Sequence, residues 1–111
     1  EVRMVVGSPG GATIITSVYQ AIINVLDFGM TAEQAVAATR FHHQLLPEDL
    51  VTYSVTRPLP DGVIRALESR GYRAQPHEWE FGDLQLIVRD DPNDTWLGAT
   101  DPRRDGAALG Y

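Results

Sequence analysis

The sequence contains no cysteine and no lysine, and each absence excludes a class of chemistry. Without cysteine there is no disulfide, no thiol nucleophile and no thiolate metal site. All nine basic residues are therefore arginines, and they are scattered from Arg3 to Arg104 rather than clustered. Since acidic residues number 15 and no basic stripe forms, nucleic acid is not expected as a partner.

Long apolar runs are also missing. The most apolar stretch, residues 12–28, is interrupted by polar side chains, so no segment is predicted to span a bilayer. No basic region precedes an apolar stretch within residues 1–20, so a secretory signal is not predicted. Because Glu1 begins directly in a strand-like run, we interpret the chain as an excised or processed piece. Its 43% hydrophobic residues suffice for a folded core, and we expect a single domain or part-domain over residues 1–111.

Helical periodicity and capping residues predict three helices. The first covers residues 12–28, and a capping box with Thr31 as N-cap and Gln34 reaching back opens the second, which is predicted to run to about Thr39. The third is predicted to begin at Asp61 as N-cap and to end at Arg70. The side chains predicted to face inward are Ile14, Ile15, Val18, Ile22, Val25 and Leu26 of the first helix and Val63, Ile64 and Leu67 of the third.

Strand-like runs bounded by turn residues complete the secondary structure. The runs 84–89 and 95–99 should form a hairpin, and helices packed with a largely antiparallel sheet in one core give an α+β fold. Trp79, Phe81 and Trp96 are expected to be core residues, with an interface to a missing part of the protein as the alternative. The other predicted strands are 2–6, 51–55 and 72–76.

The run Gly7-Ser8-Pro9-Gly10-Gly11, which we call the glycine loop, is the most informative motif. It precedes a helix, whose first N–H groups lack intrahelical partners and carry the positive end of the dipole. The two glycines remove Cβ atoms that would keep a reacting group away, and Pro9 stiffens the approach. Such a loop suits a phosphate, a carboxylate or an oxyanion. Neither the dinucleotide nor the P-loop pattern is met, and a tight turn without a ligand stays the alternative.

Two further motifs are candidates for chemistry. His42 and His43 suggest a metal, but adjacent side chains point in different directions and no ligand spacing accompanies them, so we predict a hydrogen-bonding structural role and no metal site. Asp101 and Arg103 suggest a clamp for a carboxylate, although an ion pair that pins the C-terminal loop is the favoured interpretation. The Ser8 hydroxyl suits the oxyanion region, and turn chemistry explains it equally well.

Several motifs in register resemble one family over essentially the whole chain. They are the glycine loop, the apolar helix after it, the sequence Arg40-Phe41-His42-His43-Gln44, the sequence from Gly98 to Arg103, and the terminal Gly110-Tyr111. Together they resemble the C-terminal half of the small subunit of gamma-glutamyltransferase. The resemblance implies a portion of a four-layer αββα sandwich, the fold of the N-terminal-nucleophile hydrolases.

The same resemblance implies roles for individual residues. Gly10 and Gly11 are expected to supply the oxyanion-hole N–H groups, and Ser8 and Pro9 to contact substrate. The family's nucleophile is a threonine at a processed N-terminus, which places it upstream of Glu1. The expected reaction is cleavage of a γ-glutamyl amide such as glutathione through a threonine-bound ester, with transfer to water, an amino acid or a peptide. No cofactor is expected, and the segment alone is predicted to be inactive.

The implied partners are the large subunit and the upstream part of the small subunit of the same precursor, besides a small-molecule γ-glutamyl substrate. The family resemblance suggests a periplasmic or extracellular compartment, and a cytoplasmic one stays open. Two alternatives remain at this point. One is a related amidohydrolase with an N-terminal threonine, of the cephalosporin acylase or poly-γ-glutamate-processing type. The other is a non-catalytic structural or binding segment.

Overall fold

The computed structural model describes residues 1–110, which contain helices together with mainly antiparallel strands. This mixture confirms the predicted α+β class. Tyr111, half of the terminal pair in the resemblance, lies outside the described residues. The elements are β1 (Met4–Gly7), α1 (Thr13–Leu26), α2 (Ala32–Ala37), β2 (Phe41–His42), β3 (Leu50–Tyr53), α3 (Asp61–Ser69), β4 (Arg73–Pro76), β5 (Gln85–Asp90) and β6 (Thr95–Thr100), with a short 3-10 turn at Asp91–Asn93.

The chain folds into two compact units. The first unit consists of Glu1–Ala38 together with the chain from Gly82 onward, and the second consists of Thr39–Phe81. The first holds α1, α2 and an antiparallel sheet in the order β1-β5-β6, whereas the second holds α3 and a sheet in the order β2-β3-β4. The strands therefore form two small sheets rather than the single sheet expected from the sequence.

The predicted hairpin forms the centre of the first unit. β5 and β6 pair antiparallel, with Leu86 opposite Ala99, and β1 adds to the other edge of β5. Since alternate residues of a strand point to the same face, Leu86 and Ala99 lie on the face covered by the helices. The buried core of this unit consists of Ala21, Ala32, Ala35, Val36, Leu84, Leu86 and Ala99.

Helix α1 lies close to its predicted position, but its predicted inward stripe is only partly right: Val18, Ile22 and Val25 are half-buried, and Val25 packs against the core. The buried residues are Thr13, Ser17 and Ala21, at intervals of four. By contrast, Ile15 is 77% exposed and Leu26 is 66% exposed. Small side chains on the buried face allow the helix to lie close to its neighbours. The spacing of apolar residues identifies a stripe but cannot tell which neighbour the stripe faces.

Helix α2 begins as predicted and ends earlier. The Gln34 N–H donates to Thr31 Oγ1 (3.2 Å), and the Gln34 side chain accepts from the Thr31 N–H (3.0 Å), which confirms the capping box. The helix ends at Ala37 instead of Thr39, because Ala38 already has an extended ψ of 153°.

A buried ion pair joins the end of α2 to the C-terminal loop. Arg103 Nη1 lies 3.2 Å from Asp101 Oδ1, and the two side chains are 2% and 0% exposed. The Arg103 guanidinium donates to the Val36 carbonyl (3.1 Å) and the Ala38 carbonyl (2.8 Å). On the other side, Asp101 Oδ2 accepts the Leu84 N–H (3.1 Å). This arrangement confirms the structural interpretation of Asp101 and Arg103.

The second unit contains a parallel strand pair that the sequence did not predict. β3 and β4 run parallel, with Leu50 opposite Arg73. Two parallel strands need a connection that returns the chain to the end of the sheet where the first strand begins. Helix α3, which lies between β3 and β4 in the sequence, is part of that connection. The two-residue strand at Phe41–His42 was also missed, and it pairs antiparallel with β3.

Helix α3 departs from its prediction at both its cap and its buried face. Asp61 is the first helical residue and not the N-cap, since the Pro60 carbonyl accepts the Val63 N–H (2.9 Å). Val63 is 43% exposed, while Ile64 and Leu67 are half-buried. The helix has no fully buried residue, because it lies on the outside of its unit.

The predicted aromatic core residues have different surroundings. Phe81 is 2% exposed, as predicted. Trp79 and Trp96 are 62% and 47% exposed, so the prediction that they are core residues is wrong. Each ring has a contact with a nearby side chain: the Arg89 guanidinium lies 5.8 Å from the Trp96 ring centroid, and the Trp79 ring stands edge-on to His77 at 5.2 Å.

His77 is the ionisable group of the second unit whose environment opposes its charge. Burial lowers the pKa of His77 and the neighbouring His42 lowers it further, while Glu78 and Glu80 oppose the shift. Its Nδ1 lies 2.9 Å from Thr52 Oγ1, and its ring contacts Phe81 at 5.0 Å between centroids. Neutral His77 is therefore the form that the folded unit favours.

The longest helix, α1, has 14 residues. Within residues 1–110, no helix combines the length and the apolar character needed to cross a membrane.

Replacement of one member of the buried pair should destabilise the full-length protein strongly. Asp101→Asn leaves the Arg103 charge buried without its counter-ion, and we expect a loss of about 3–5 kcal/mol in the free energy of unfolding. Asp49→Asn is the matched control, because Asp49 pairs with Arg73 at 2.6 Å while both side chains stay about half exposed. Solvent screens that exposed pair, so the control should change little. Equal denaturant midpoints for the two variants would contradict the prediction.

Acidification should weaken the second unit through His77. Since the folded-state pKa is lowered, the unfolded chain binds the proton more readily, and stability is lost as pH falls below about 6.5 toward the folded-state value. Histidine-selective NMR titration of the full-length protein should give His77 a midpoint below that of an unfolded chain. His77→Gln should remove part of the acid destabilisation. A midpoint at or above the ordinary value would show that the assigned burial effect is wrong.

Candidate functional site

The glycine loop connects β1 to α1. Gly10 has φ 131° and Gly11 has φ 59°, both in the region that favours glycine. Both residues are exposed. Within residues 1–110, neither the Gly10 N–H nor the Gly11 N–H donates a hydrogen bond. These two donors are therefore accessible to a ligand.

The carbonyl groups of the same glycines accept hydrogen bonds from the start of α1. The Thr13 N–H donates to Gly10 O (3.2 Å), and the Ile14 N–H donates to Gly11 O (3.1 Å). Ala12, at the N-cap position, offers no side-chain cap. The first turn of the helix thus anchors the glycine carbonyls and leaves the glycine N–H groups unused.

Two hydroxyl groups hold the loop. Ser8 Oγ donates to Pro9 O (2.9 Å) and accepts the Asp83 N–H (3.1 Å). Thr13 Oγ1 donates to Gly10 O (2.8 Å). This Thr13 contact was not predicted from the sequence. The sequence pattern that could have predicted it is a threonine three residues after a glycine at the start of a helix. At this spacing serine and threonine hydroxyl groups donate hydrogen bonds to the backbone carbonyl.

The two glycines differ in how much space surrounds them. A Cβ atom added to Gly10 would lie 2.6 Å from Thr13 Oγ1, so that contact would have to break. A Cβ atom added to Gly11 would meet nothing within 4 Å. Close packing therefore demands glycine at position 10, whereas at position 11 only the backbone conformation favours it.

The two histidine candidates belong to the second unit. His42 Nε2 lies 2.7 Å from Gln44 Oε1, and His43 Nε2 lies 3.0 Å from the Glu48 carbonyl, so adjacent histidines have different hydrogen-bond partners. Among the residues that the structure describes, no group of three His, Cys, Asp or Glu side chains is arranged to hold a metal ion. Substrate contact by Ser8 and Pro9, and the oxyanion role of the glycines, stay predictions.

Comparison with known proteins identifies relatives over the whole chain. The family model described as gamma-glutamyltranspeptidase matches residues 1–111. A glutathione hydrolase proenzyme of Pseudomonas aeruginosa is 42% identical over 109 residues, which cover 98% of this chain and 19% of that protein. A glutathione hydrolase proenzyme of Escherichia coli is 38% identical over 109 residues, covering 97% of this chain and 18% of that protein. The chain thus spans less than a fifth of the length of these curated relatives.

The fold is shared as well as the sequence. A solved structure of gamma-glutamyltranspeptidase from Pseudomonas nitroreducens, complexed with L-DON, matches with a TM-score of 0.91 and 40% identity, covering 100% of this chain and 56% of that one. This likeness confirms the fold class implied by the sequence motifs, a portion of the N-terminal-nucleophile hydrolase sandwich. The family-model match and the shared fold together show that this chain belongs to the gamma-glutamyltranspeptidase family.

Proposed function

We propose that the protein containing this chain cleaves γ-glutamyl amides such as glutathione, and that Gly10 and Gly11 donate hydrogen bonds to the oxyanion of the reaction. One observation carries the proposal: the N–H groups of two adjacent exposed glycines, without partners among residues 1–110, lie just before a helix in a member of this family. Family membership favours acyl transfer over the other anions that such a loop suits.

The chemistry requires an oxyanion site twice. A threonine hydroxyl outside this chain gives its proton to a base and attacks the γ-carbonyl carbon, and the carbonyl electron pair moves onto oxygen; the base later passes the proton to the leaving amine. Collapse of this tetrahedral intermediate expels the amine, which takes a proton, and leaves a γ-glutamyl ester. Water or a second amine then attacks the ester carbon, the same oxygen becomes negative again, and the threonine hydroxyl is released. N–H groups at that oxygen stabilise both intermediates.

Backbone donors suit this task for two physical reasons. Donors that already have their final direction need no reorganisation when the charge appears, which is the main source of oxyanion stabilisation. The N-terminal end of α1 also carries a partial positive charge that favours an anion in front of it. Both contributions are independent of pH, because neither involves a group that titrates.

We further propose that the rest of the precursor covers the exposed face of α1. Ile15, Tyr19 and Leu26 are 77%, 62% and 66% exposed, and their spacing of four and seven residues places them on one side of the helix. An apolar face of this kind marks a contact surface. Since the relatives are more than five times longer than this chain, ample protein exists to cover it.

Substitution at Gly10 tests the oxyanion role in the full-length, processed protein. Gly10→Ala displaces the Thr13 hydroxyl and strains the backbone, so we expect kcat to fall by about 100-fold or more, the size of effect seen when one oxyanion donor is lost. Gly62→Ala is the matched control, because Gly62 lies in α3 in open space. Turnover of a γ-glutamyl anilide measures both variants. An unchanged kcat for Gly10→Ala would rule out the oxyanion assignment.

The substrate class is tested with a second pair of measurements. A γ-glutamyl amide and a glutaryl amide differ only in the α-amino group of the acyl part, so their relative kcat/KM reports recognition of that group. We expect the full-length protein to prefer the γ-glutamyl compound. Preference for the glutaryl compound would instead support an acylase-like activity.

A further inference from the structure

The glycine loop contains two peptide groups whose N–H and C=O sides have different surroundings. In a trans peptide, the N–H and the preceding C=O point in opposite directions. Within residues 1–110 the one cis peptide is Leu46–Pro47, so both loop peptides are trans. The carbonyl partner of the Gly10 N–H is Pro9 O, and the carbonyl partner of the Gly11 N–H is Gly10 O. Whatever holds these two carbonyls therefore sets the direction of the two N–H groups.

A hydroxyl side chain donates to each of these carbonyls, and at Gly10 O it adds to the bond from the Thr13 N–H (3.2 Å). Ser8 Oγ donates to Pro9 O at 2.9 Å, and Thr13 Oγ1 donates to Gly10 O at 2.8 Å. We propose that Ser8 and Thr13 are positioning residues, which aim the Gly10 and Gly11 N–H groups from behind without touching substrate. This inference rests on the proposed oxyanion role of the two glycines.

Glycine makes such restraint necessary. A Gly-Gly pair has more backbone freedom than any other dipeptide, so its peptide groups rotate easily. A rotated peptide presents its carbonyl oxygen, which repels an oxyanion, in place of its N–H. A hydrogen bond to the carbonyl opposes that rotation, because the bond must break for the peptide to turn.

The Thr13 side chain is well placed for this role. It is 6% exposed at the first position of α1, and its branched Cβ restricts the hydroxyl to few orientations. Its Oγ1 occupies the space where a Gly10 Cβ would lie, at 2.6 Å. Glycine at position 10 is therefore needed to admit the Thr13 hydroxyl, and Thr13 in turn restrains that glycine.

The Ser8 hydroxyl is restrained in its turn. It accepts the Asp83 N–H at 3.1 Å, and this bond directs its own hydrogen toward Pro9 O. Hydrogen bonds in such a chain strengthen one another. With its hydrogen engaged at Pro9, Ser8 acts on the reaction through the backbone rather than as a direct donor to substrate.

The test compares Thr13→Val with Thr13→Ser in the full-length processed protein. Valine keeps the branched shape and loses the hydroxyl, whereas serine keeps the hydroxyl. For Thr13→Val we expect kcat for a γ-glutamyl anilide to fall by about 10- to 100-fold, since misplacing a reacting group by about 1 Å costs on the order of 100-fold. KM should stay unchanged, because the oxyanion exists only beyond the ground state. Thr13→Ser should recover most of the wild-type kcat.

Two further variants complete the experiment. Thr16→Val is the matched control, because Thr16 Oγ1 donates to the Thr13 carbonyl (3.2 Å), which belongs to helix α1 and not to the glycine loop. It should keep the wild-type kcat. Ser8→Ala, on a half-buried loop position, should lower kcat as Thr13→Val does. Rates are expressed per mole of processed protein, and thermal melting checks that each variant is folded.

The inhibition constant of a tetrahedral inhibitor distinguishes a positioning role from a merely structural one. A γ-glutamyl analogue with a boronic acid in place of the amide forms a tetrahedral adduct that mimics the oxyanion. Its inhibition constant should rise in Thr13→Val and Ser8→Ala by the same factor as kcat/KM falls, because a transition-state analogue loses the same contacts. An unchanged inhibition constant alongside a reduced kcat would overturn the positioning role.

The outcomes separate this inference from the proposed function. Wild-type kcat in Thr13→Val and Ser8→Ala, with Gly10→Ala still impaired, would overturn the positioning role and leave the oxyanion assignment standing. Equal impairment of Thr13→Val and Thr13→Ser would show that side-chain packing, and not the hydroxyl, matters. Full activity in Gly10→Ala would contradict the proposed oxyanion role of the glycines, on which this inference rests.

Discussion

The buried ion pair between Asp101 and Arg103 is the constraint on which the first unit depends. Arg103 holds the carbonyls of Val36 and Ala38 where α2 ends, and Asp101 holds the Leu84 N–H just before β5. The two side chains are 2% and 0% exposed, and buried charges of this kind need hydrogen bonds that satisfy them. Hydrogen bonds of this one pair consequently join the C-terminal loop to the end of α2 and to the central strand.

That constraint extends to the glycine loop through a short covalent link. Asp83 immediately precedes Leu84, and its N–H bonds to Ser8 Oγ, which bonds to Pro9 O. A buried charge pair, a strand start and an exposed loop thus form one connected set. The donors that we assign to catalysis are main-chain groups with no side chain to adjust. Their geometry must therefore come from the residues around them, which explains why hydroxyl groups lie on the carbonyl side of both loop peptides.

Local sequence rules predicted much of this structure, and long-range packing decided the rest. The capping box at Thr31 and the β5–β6 hairpin follow from residues a few positions apart, so a short window of sequence contains their cause. The buried face of α1 and the parallel pairing of β3 with β4 depend on partners far away in the chain. Apolar periodicity cannot distinguish a helix face that packs within this chain from an exposed face such as the one that contains Ile15.

The same division applies to the candidate site. By itself, the sequence determined that a glycine pair ends a strand and begins a helix, because few other residues adopt the positive φ angles of Gly10 and Gly11. It also placed the chain in its family through motifs in register. Only the tertiary structure decided which atoms restrain those glycines. Ser8 is oriented by Asp83, which lies 75 residues away, and a hydrogen bond between such distant positions exists only after the sheet has brought β1 and β5 together.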